Sequence, residues 1–326
     1  MGRLYESHHE EEKSETNKNI PMLFLLGEFS GESNHAWLNP KSHTSNSKLI
    51  KFPELEDQTE CLASEFGWLL IQSRNTSSLF FFNPLTRQRI NLPYHHSVIT
   101  AAAFSASPTS PDCIVFTYRM PSVFGVRIDT LLVGQETWTR HVFMRDPSLF
   151  GGSIQAIYNK GCFYCVDPYG NIATFDAKLR TWNILRGNGF ERAHGYFFEF
   201  NGEIFAVKKK SDSTFAEKLE RLKVEGGTYG WEEVDLGCLG DDVTLFLGPY
   251  GSCAVPGLSN VVGMEKKKVF VADRRPQSKC LMYNKSNGFG MKLSHSLRKL
   301  HSANIERETE RGSLRNIRNQ VSKEKK

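Results

Sequence analysis

Three tryptophans recur along this chain at a long and regular spacing. Trp138, Trp182 and Trp231 lie 44 and 49 residues apart, and each begins a short run of strand-forming residues. Before the last two, the order is the same: a strand ending in a glycine turn, a second strand and a third strand. Four strands in about 45 residues is the unit of a β-propeller blade, a sheet that packs radially against its neighbours.

The runs between residues 51 and 290 have the length and the punctuation of strands. Most apolar runs there are five to eight residues long and end at glycine, proline or asparagine, which is too short for most helices. Asn201-Gly202 stands between two such runs and favours the positive φ angles of a tight hairpin turn. We therefore predict an all-β fold, a β-propeller of about five to six four-stranded blades. A pair of β-sandwiches is the alternative, and the repeat period favours the propeller.

Composition divides the chain into three parts. Residues 1–50 are rich in Glu, Ser, Asn and His, and they bury too little apolar surface to offset an ordering entropy of roughly 1–2 kcal/mol per residue. We predict a disordered or weakly ordered tail over 1–50, the propeller over 51–290 and a basic tail over 291–326. The apolar run at 21–26 is the part of the first tail suited to docking on the body or pairing with an edge strand.

The formal charge of +5 is concentrated in the last part of the chain. Residues 291–326 carry a net charge of +6, whereas residues 51–290 carry +1 and residues 1–50 carry −2. Leucine and isoleucine recur at nearly helical spacing in the basic tail, so we predict that the tail is partly helical. Such a helix suits nucleic acid, an acidic protein or a membrane surface, but a solvated tail is the simpler interpretation. We therefore expect no membrane partner and disfavour nucleic acid.

The seven cysteines and the absence of a signal peptide indicate a protein that stays inside the cell. The count is odd and the chain is long, so we expect no disulfide framework. Cys162 and Cys165 form a C-x-x-C pair, but they lie in a predicted strand, which favours core packing over zinc binding. No apolar run approaches the roughly 18–20 residues of a membrane helix. We expect localisation in the cytoplasm, the nucleus or both.

We find no catalytic or cofactor motif in the sequence. Nucleophile-elbow, zinc-protease and phosphate-loop patterns are absent, and the pair Asp241-Asp242 is interpreted as a solvated turn. We therefore predict a protein that is not an enzyme and that carries no cofactor and no metal. The alternative is an enzymatic or small-molecule-binding propeller, because the central channel of this fold can hold a site.

Loops are the places where a protein of this kind carries recognition. His95 and His96 stand in a loop between two predicted strands, and Arg192 and His194 stand in a glycine-containing loop between two units. We predict that these four side chains contact a partner. The second loop begins near Gly187-Asn188-Gly189, which lacks the third glycine of a phosphate-binding loop and so supports nucleotide binding only weakly.

The order of four motifs resembles a known family. They are a Gly-Trp opening with a later Asn-Pro-Leu-Thr at 67–93, a strand pair around a glycine at 157–166, a block beginning Trp-Glu-Glu-Val at 231–248, and a late strand at 268–273. Over about residues 55–285, the chain is similar to plant F-box-associated β-propellers of the kelch-like or KIB type.

The resemblance implies a protein-binding role. In that family an N-terminal F-box binds the Skp1 subunit of a ubiquitin ligase, and the propeller selects the protein to be ubiquitinated. Residues 1–50 show no three-helix apolar pattern. We therefore expect no F-box within them, and we expect Skp1 as a partner only where an F-box is present.

Overall fold

The structure is a computed structural model of the chain, and strands form nearly all of its regular elements. It describes residues 23–29, 32–38, 48–50, 52–55, 59–73, 75–95, 98–122, 125–144, 154–167, 169–189, 194–209, 216–248, 251–256, 269–271 and 280–282. Within these residues the only helical element is a short 3-10 helix (Leu236–Leu239). None of the described helical structure is long and apolar enough to cross a membrane.

The described strands form six sheets that follow one another along the chain, and we number them as blades 1 to 6. Blade 1 contains β1 (Leu23–Phe29), β2 (Glu32–Leu38), β3 (Lys48–Ile50) and the late strand β24 (Cys280–Met282). Blade 2 contains β4 (Thr59–Glu65), β5 (Trp68–Ser73), β6 (Leu79–Asn83) and β7 (Gln88–Asn91). Blade 3 contains β8 (Ala101–Phe104), β9 (Ile114–Ser122), β10 (Gly125–Leu132) and β11 (Thr139–Met144).

The second half of the chain repeats this plan. Blade 4 contains β12 (Gln155–Asn159), β13 (Cys162–Val166), β14 (Ile172–Asp176) and β15 (Thr181–Ile184). Blade 5 contains β16 (Arg186–Gly187), β17 (His194–Phe200), β18 (Glu203–Lys209), β19 (Ala216–Glu225) and β20 (Thr228–Val234). Blade 6 contains β21 (Val243–Leu247), β22 (Cys253–Pro256) and β23 (Val269–Val271). The predicted β-propeller is confirmed.

The same tight turn joins the first two strands of three blades. The central pairs Phe66-Gly67, Lys160-Gly161 and Asn201-Gly202 all have positive φ, with values between 48° and 89°. Two residues at positive φ make a type I′ turn, whose twist matches that of the flanking strands. The local sequence therefore fixes the register of these hairpins, because a two-residue turn leaves one way to pair the strands.

Strands in the middle of a blade are buried on both faces. Phe80, Phe81 and Phe82 are consecutive in β6, and each is 0% exposed. Successive side chains in a strand point to opposite faces, so full burial of all three requires packing on each side of the sheet. Phe81 contacts Phe104 of blade 3 at a centroid distance of 4.9 Å, and Phe82 contacts Phe52 on the other side at 5.5 Å.

The core of the protein lies between the blades. Phe116 of blade 3 stacks on Phe163 of blade 4 with centroids 4.7 Å apart and ring planes 12° from parallel. Offset aromatic pairs of this kind stabilise by about 0.5–1.5 kcal/mol beyond the area that they bury. Neighbouring blades also approach each other through one strand of each blade, as β4 does with β8, β8 with β12 and β12 with β17. These strands therefore form the inner ring of the propeller.

The three tryptophans of the long repeat lie in or beside the last strand in sequence of blades 3, 4 and 5. Trp182 and Trp231 lie in β15 and β20, and Trp138 directly precedes β11. The indole N–H of Trp138 donates to the carbonyl oxygen of Pro93 at 3.0 Å, and that of Trp231 donates to the carbonyl oxygen of Gly170 at 3.0 Å. Each bond ties an outer strand to the chain of the preceding blade or linker.

Blade 1 is assembled from strands that are distant in sequence. β1 pairs antiparallel with β2 and also with β24, with Leu25 opposite Leu281. Pairing an early strand with a late one closes the ring of blades. β1 overlaps the apolar run at 21–26, which agrees with the expectation that this run pairs with a strand. Three described strands thus lie within 1–50, the segment predicted as a weakly ordered tail, whereas 291–326 lies outside the described residues.

Candidate functional site

One face of blade 3 changes from apolar to charged along its length. At the end of blade 3 away from the β9–β10 turn, the side chains Phe104, Val115 and Leu131 of this face are buried against blade 2. The next row across the sheet is Ala102, Thr117, Asp129 and Arg140, and the row after that is Arg119, Arg127 and Val142. Residues directly opposite each other in an antiparallel sheet share a face, so both rows continue the same surface. We call Arg119, Arg127, Asp129 and Arg140 the arginine face.

Asp129 is the buried centre of the arginine face, with a side chain only 4% exposed. It accepts hydrogen bonds from Arg127 Nε at 2.9 Å and from Arg140 Nε at 3.2 Å, and Arg127 Nη2 lies 2.8 Å away. Burial alone would raise the pKa of Asp129, but the hydrogen bonds from His95, Arg127 and Arg140 outweigh it and hold the pKa well below its usual range. Asp129 is therefore ionised and holds both guanidinium groups in place.

His95 belongs to this network. Its Nε2 lies 3.2 Å from Asp129 Oδ2 and 3.3 Å from Thr117 Oγ1, and the imidazole packs edge-on against Trp138 with centroids 4.8 Å apart. Because an ionised carboxylate only accepts, Nε2 carries the hydrogen of the bond to Asp129. His95 is buried, so its ring fastens the linker between blades 2 and 3 to blade 3 and does not lie on the loop surface. Its predicted contact with a partner stays a prediction.

Arg119 and Arg127 are direct neighbours of like charge. They stand opposite each other on β9 and β10. Like charges at such positions repel, and Asp129 compensates Arg127 rather than Arg119. In the described part of the chain no ion pair of Arg119 is recorded. Among the described residues Asp129 thus pairs with Arg127 and Arg140, and Arg119 adds a third guanidinium group, which makes this part of the face positively charged.

Exposed apolar side chains lie beside the arginine face. In a four-stranded antiparallel blade, the first strand begins and the fourth strand ends on the same side. We call this side the linker end, because the chain enters and leaves the blade there. Val98 in the linker before blade 3 is 80% exposed, and Met144 at the end of β11 is 83% exposed. Tyr94 and Val142 are also more than half exposed. The linker end of blade 3 thus presents apolar groups together with positive charge.

A second candidate is a cleft between blades 4 and 5, with a volume of about 520 Å³. Its lining residues come from β16 and the segment after it, and from β19 and β20: Arg186, Gly187, Asn188, Gly189, Glu220, Thr228, Tyr229, Gly230 and Trp231. A Cβ atom on Gly187 would lie 2.3 Å from the carbonyl oxygen of Tyr229, and one on Gly189 would lie 2.3 Å from that of Tyr169. These two glycines are therefore required for close packing of the linker, which explains them without a bound phosphate.

A buried carboxylate shapes the wall of this cleft. Asp167 accepts hydrogen bonds from the backbone N–H groups of Tyr169 and Asn171, both at 2.9 Å, and so folds the loop between β13 and β14. Asn171 Oδ1 in turn accepts from the Tyr229 hydroxyl at 3.3 Å. Burial and the nearby charge of Asp167 raise the pKa of Tyr229 to about 12, so the phenol is neutral at physiological pH.

The other predicted partner-binding residues are placed only in part. His194 begins β17, but its side chain lies outside the described residues, as do His96 and Arg192. Their predicted role in binding stays a prediction. Sequence reasoning missed Asp129 and its arginines, although β10 alternates apolar and polar residues at 126–129, a pattern that could have drawn attention to them.

Cysteine packing agrees with the sequence interpretation at the C-x-x-C pair. Cys165 is fully buried and free, burial raises its pKa, and Cys162 is also free. Cys61 is disulfide-bonded, a bond that the expectation of no disulfide framework did not foresee. In the described part of the chain no group of His, Cys, Asp and Glu side chains is arranged to hold a metal ion.

Comparison with known proteins identifies the family. The model of the family described as KIB1-4 beta-propeller matches residues 38–289 of this chain. The chain belongs to this family. The F-box/kelch-repeat protein At3g18720 of Arabidopsis thaliana is 32% identical over 62% of this chain and 56% of its own length. The F-box protein At1g49360 of the same plant is 31% identical over 70% of this chain and 48% of its own length. The chain thus spans about half the length of the curated relatives that it matches.

Proposed function

We propose that this chain is a non-catalytic propeller that binds a partner protein at its linker end. The observation that carries the proposal is the set of exposed apolar side chains at that end of two neighbouring blades. Val98 and Met144 lie at the linker end of blade 3, and Tyr169 lies at that of blade 4; each is more than half exposed. Apolar groups gathered next to a charged surface are typical of a protein interface.

We further propose that the bound protein is a substrate of a ubiquitin ligase. Support comes from the relatives named F-box proteins, whose similarity to this chain covers the propeller. In this proposal the chain selects the substrate, the ligase associates through an F-box subunit that binds Skp1, and both act in the cytoplasm or the nucleus.

Proximity labelling from the tagged full chain in plant tissue tests the first proposal. The chain offers a matched control, because Leu85 and Leu179 are exposed leucines in turns at the opposite end of blades 2 and 4. The test variant carries Val98→Ser and Met144→Ser, and the control carries Leu85→Ser and Leu179→Ser.

The two variants are expected to differ in the proteins that they label. Proteins labelled by the wild type should be lost with the linker-end variant and retained with the control. Retention with the linker-end variant would contradict binding at this end. Labelling of Skp1 with its ligase partners would support the ligase role, and labelling of a specific partner without them would restrict the role to binding.

A further inference from the structure

We propose that the arginine face of blade 3 binds an acidic segment of the partner protein, in which Asp or Glu carboxylates stand next to a large apolar side chain. The inference rests on the proposed protein-binding function and names the chemistry of the partner. Its elements are a surplus of guanidinium groups, their fixed orientation and the apolar side chains beside them.

The surplus of positive charge comes from the register of three strands. Arg119 and Arg127 are opposite each other, and Arg140 reaches the same face through its bond to Asp129. Among the described residues, one carboxylate, Asp129, pairs with Arg127 and Arg140, and Arg119 brings a further positive charge to the face. An acidic ligand would supply the missing negative charge and relieve the repulsion between Arg119 and Arg127.

Asp129 prepares the guanidinium groups for such a ligand. Arg127 directs Nε and Nη2 to Asp129, and its other Nη donors remain for another acceptor. Arg140 uses only Nε on Asp129, and its side chain is 55% exposed, so its two Nη groups face solvent. Arginine forks held in this way suit carboxylates, which accept two parallel hydrogen bonds. Little side-chain freedom remains to be lost on binding.

The apolar neighbours favour a protein segment over a nucleic acid. Val142 stands opposite Arg127 in the sheet, and Met144 stands opposite Gly125 one step further along the strand. Both are largely exposed, as are Tyr94 and Val98 on the adjoining linker. A phosphate backbone would use the arginines but would leave these apolar groups in water.

The experiment uses a random peptide library displayed on phage and selected on the immobilised full chain. Selected peptides are then labelled with fluorescein, and their affinities are measured by anisotropy at low and high salt. The test variants are Arg119→Gln, Arg140→Gln and Val142→Glu. The control is Arg87→Gln, because the Arg87 side chain is 51% exposed and lies in a turn at the opposite end of blade 2.

Support would consist of selected peptides rich in Asp and Glu next to large apolar residues. Each test variant should weaken their binding by roughly tenfold, equivalent to about 1.4 kcal/mol, whereas Arg87→Gln should leave it unchanged. Peptides without acidic enrichment would overturn the proposal, as would equal binding to wild type and test variants. Tighter binding of a single-stranded DNA oligonucleotide than of any selected peptide would also overturn it.

Failure here is distinguishable from failure of the proposed function. A partner detected by labelling can be lost with the linker-end variant but kept by all three test variants. That result would remove the acidic-segment proposal only. The absence of any partner dependent on the linker end would remove the proposed function itself.

Discussion

Replacing Asp129 with asparagine should cost the protein a substantial part of its stability. The substitution keeps the size of the side chain but removes the charge that holds Arg127 and Arg140. Four donor atoms of three residues surround the carboxylate within 2.8–3.2 Å. An asparagine side chain has one acceptor oxygen, and its NH₂ group would face donors.

The magnitude follows from burial and exposure. Breaking a buried ion pair by removing one partner typically costs 3–5 kcal/mol because the remaining charge stays uncompensated. Here Arg140 is about half exposed and Arg127 is partly exposed, so water can solvate both guanidinium groups in the variant. We therefore expect Asp129→Asn to lower the free energy of unfolding by about 2–3 kcal/mol.

Urea unfolding followed by tryptophan fluorescence measures this loss, with Asp112→Asn as the control, since Asp112 is an exposed carboxylate. With a slope of about 3 kcal/mol/M, the midpoint should fall by roughly 0.7–1 M for Asp129→Asn and should barely move for the control. A loss below about 0.5 kcal/mol would refute the role given to the buried carboxylate.

The pH dependence gives a second check on the same residue. The pKa of Asp129 is lowered in the folded protein, so its contribution to stability is present above the unfolded pKa of about 4 and is lost as pH falls below it. The difference between wild type and Asp129→Asn should therefore be constant between about pH 5 and 7 and should shrink towards pH 3. A difference of the same size at pH 3 and pH 7 would show that lost shape, not lost charge, causes the effect.

Three further predictions concern the packing of blades 4 and 5. Gly187→Ala should lower the free energy of unfolding by about 1–3 kcal/mol in urea because a Cβ would collide with Tyr229, while Gly230→Ala, with no atom within 4 Å of its Cβ position, should not. The pKa of Tyr229 is raised in the folded protein, so the fold favours the neutral phenol. The higher thermal stability of wild type relative to Tyr229→Phe should therefore disappear as pH rises from about 10 to 12 and the phenol ionises. A thiol reagent at about pH 8 should modify exposed Cys238 in the native protein and buried Cys165 only after unfolding; early modification of Cys165 would contradict its burial.

Much of the fold was predictable because its signals are local. The pairs Lys160-Gly161 and Asn201-Gly202 specify their own turns, and Trp182 and Trp231 mark the last strand that follows each turn within its blade. Each signal lies within a few residues of the element that it determines. A repeat of local signals therefore suffices to predict a blade and, from its period, a propeller.

Closure of the propeller had no such signal. β1 at Leu23–Phe29 pairs with β24 at Cys280–Met282, some 250 residues later. Both strands are short, and the composition around β1 is that of a tail. The pairing is necessary because a closed ring of blades leaves no free strand edge. This condition applies only after the other blades have been identified.

The arginine face was not predicted for a similar reason. Thr117, Asp129 and Arg140 come together because β9, β10 and β11 have one particular register, and a shift of one residue would turn them to the opposite face. His95 was predicted to contact a partner because it stands in a loop, and loops carry recognition; the structure buries it against Asp129, 34 residues away. Residue propensities predict that a segment forms a strand. They do not predict which polar side chains of neighbouring strands lie opposite each other.

The position of the arginine face links its chemistry to the stability of the propeller. Two of the strands that carry it, β9 and β10, also supply Val115 and Leu131 to the core between blades 2 and 3, so the guanidinium groups stand on a packed support. Sites on strands are held more precisely than sites on loops. Side chains at the exposed end of β11 can change without disturbing that core, because Val142 and Met144 pack against neither blade's buried cluster. Partner preference can therefore vary at these positions while the buried Asp129 network keeps the recognition surface in place.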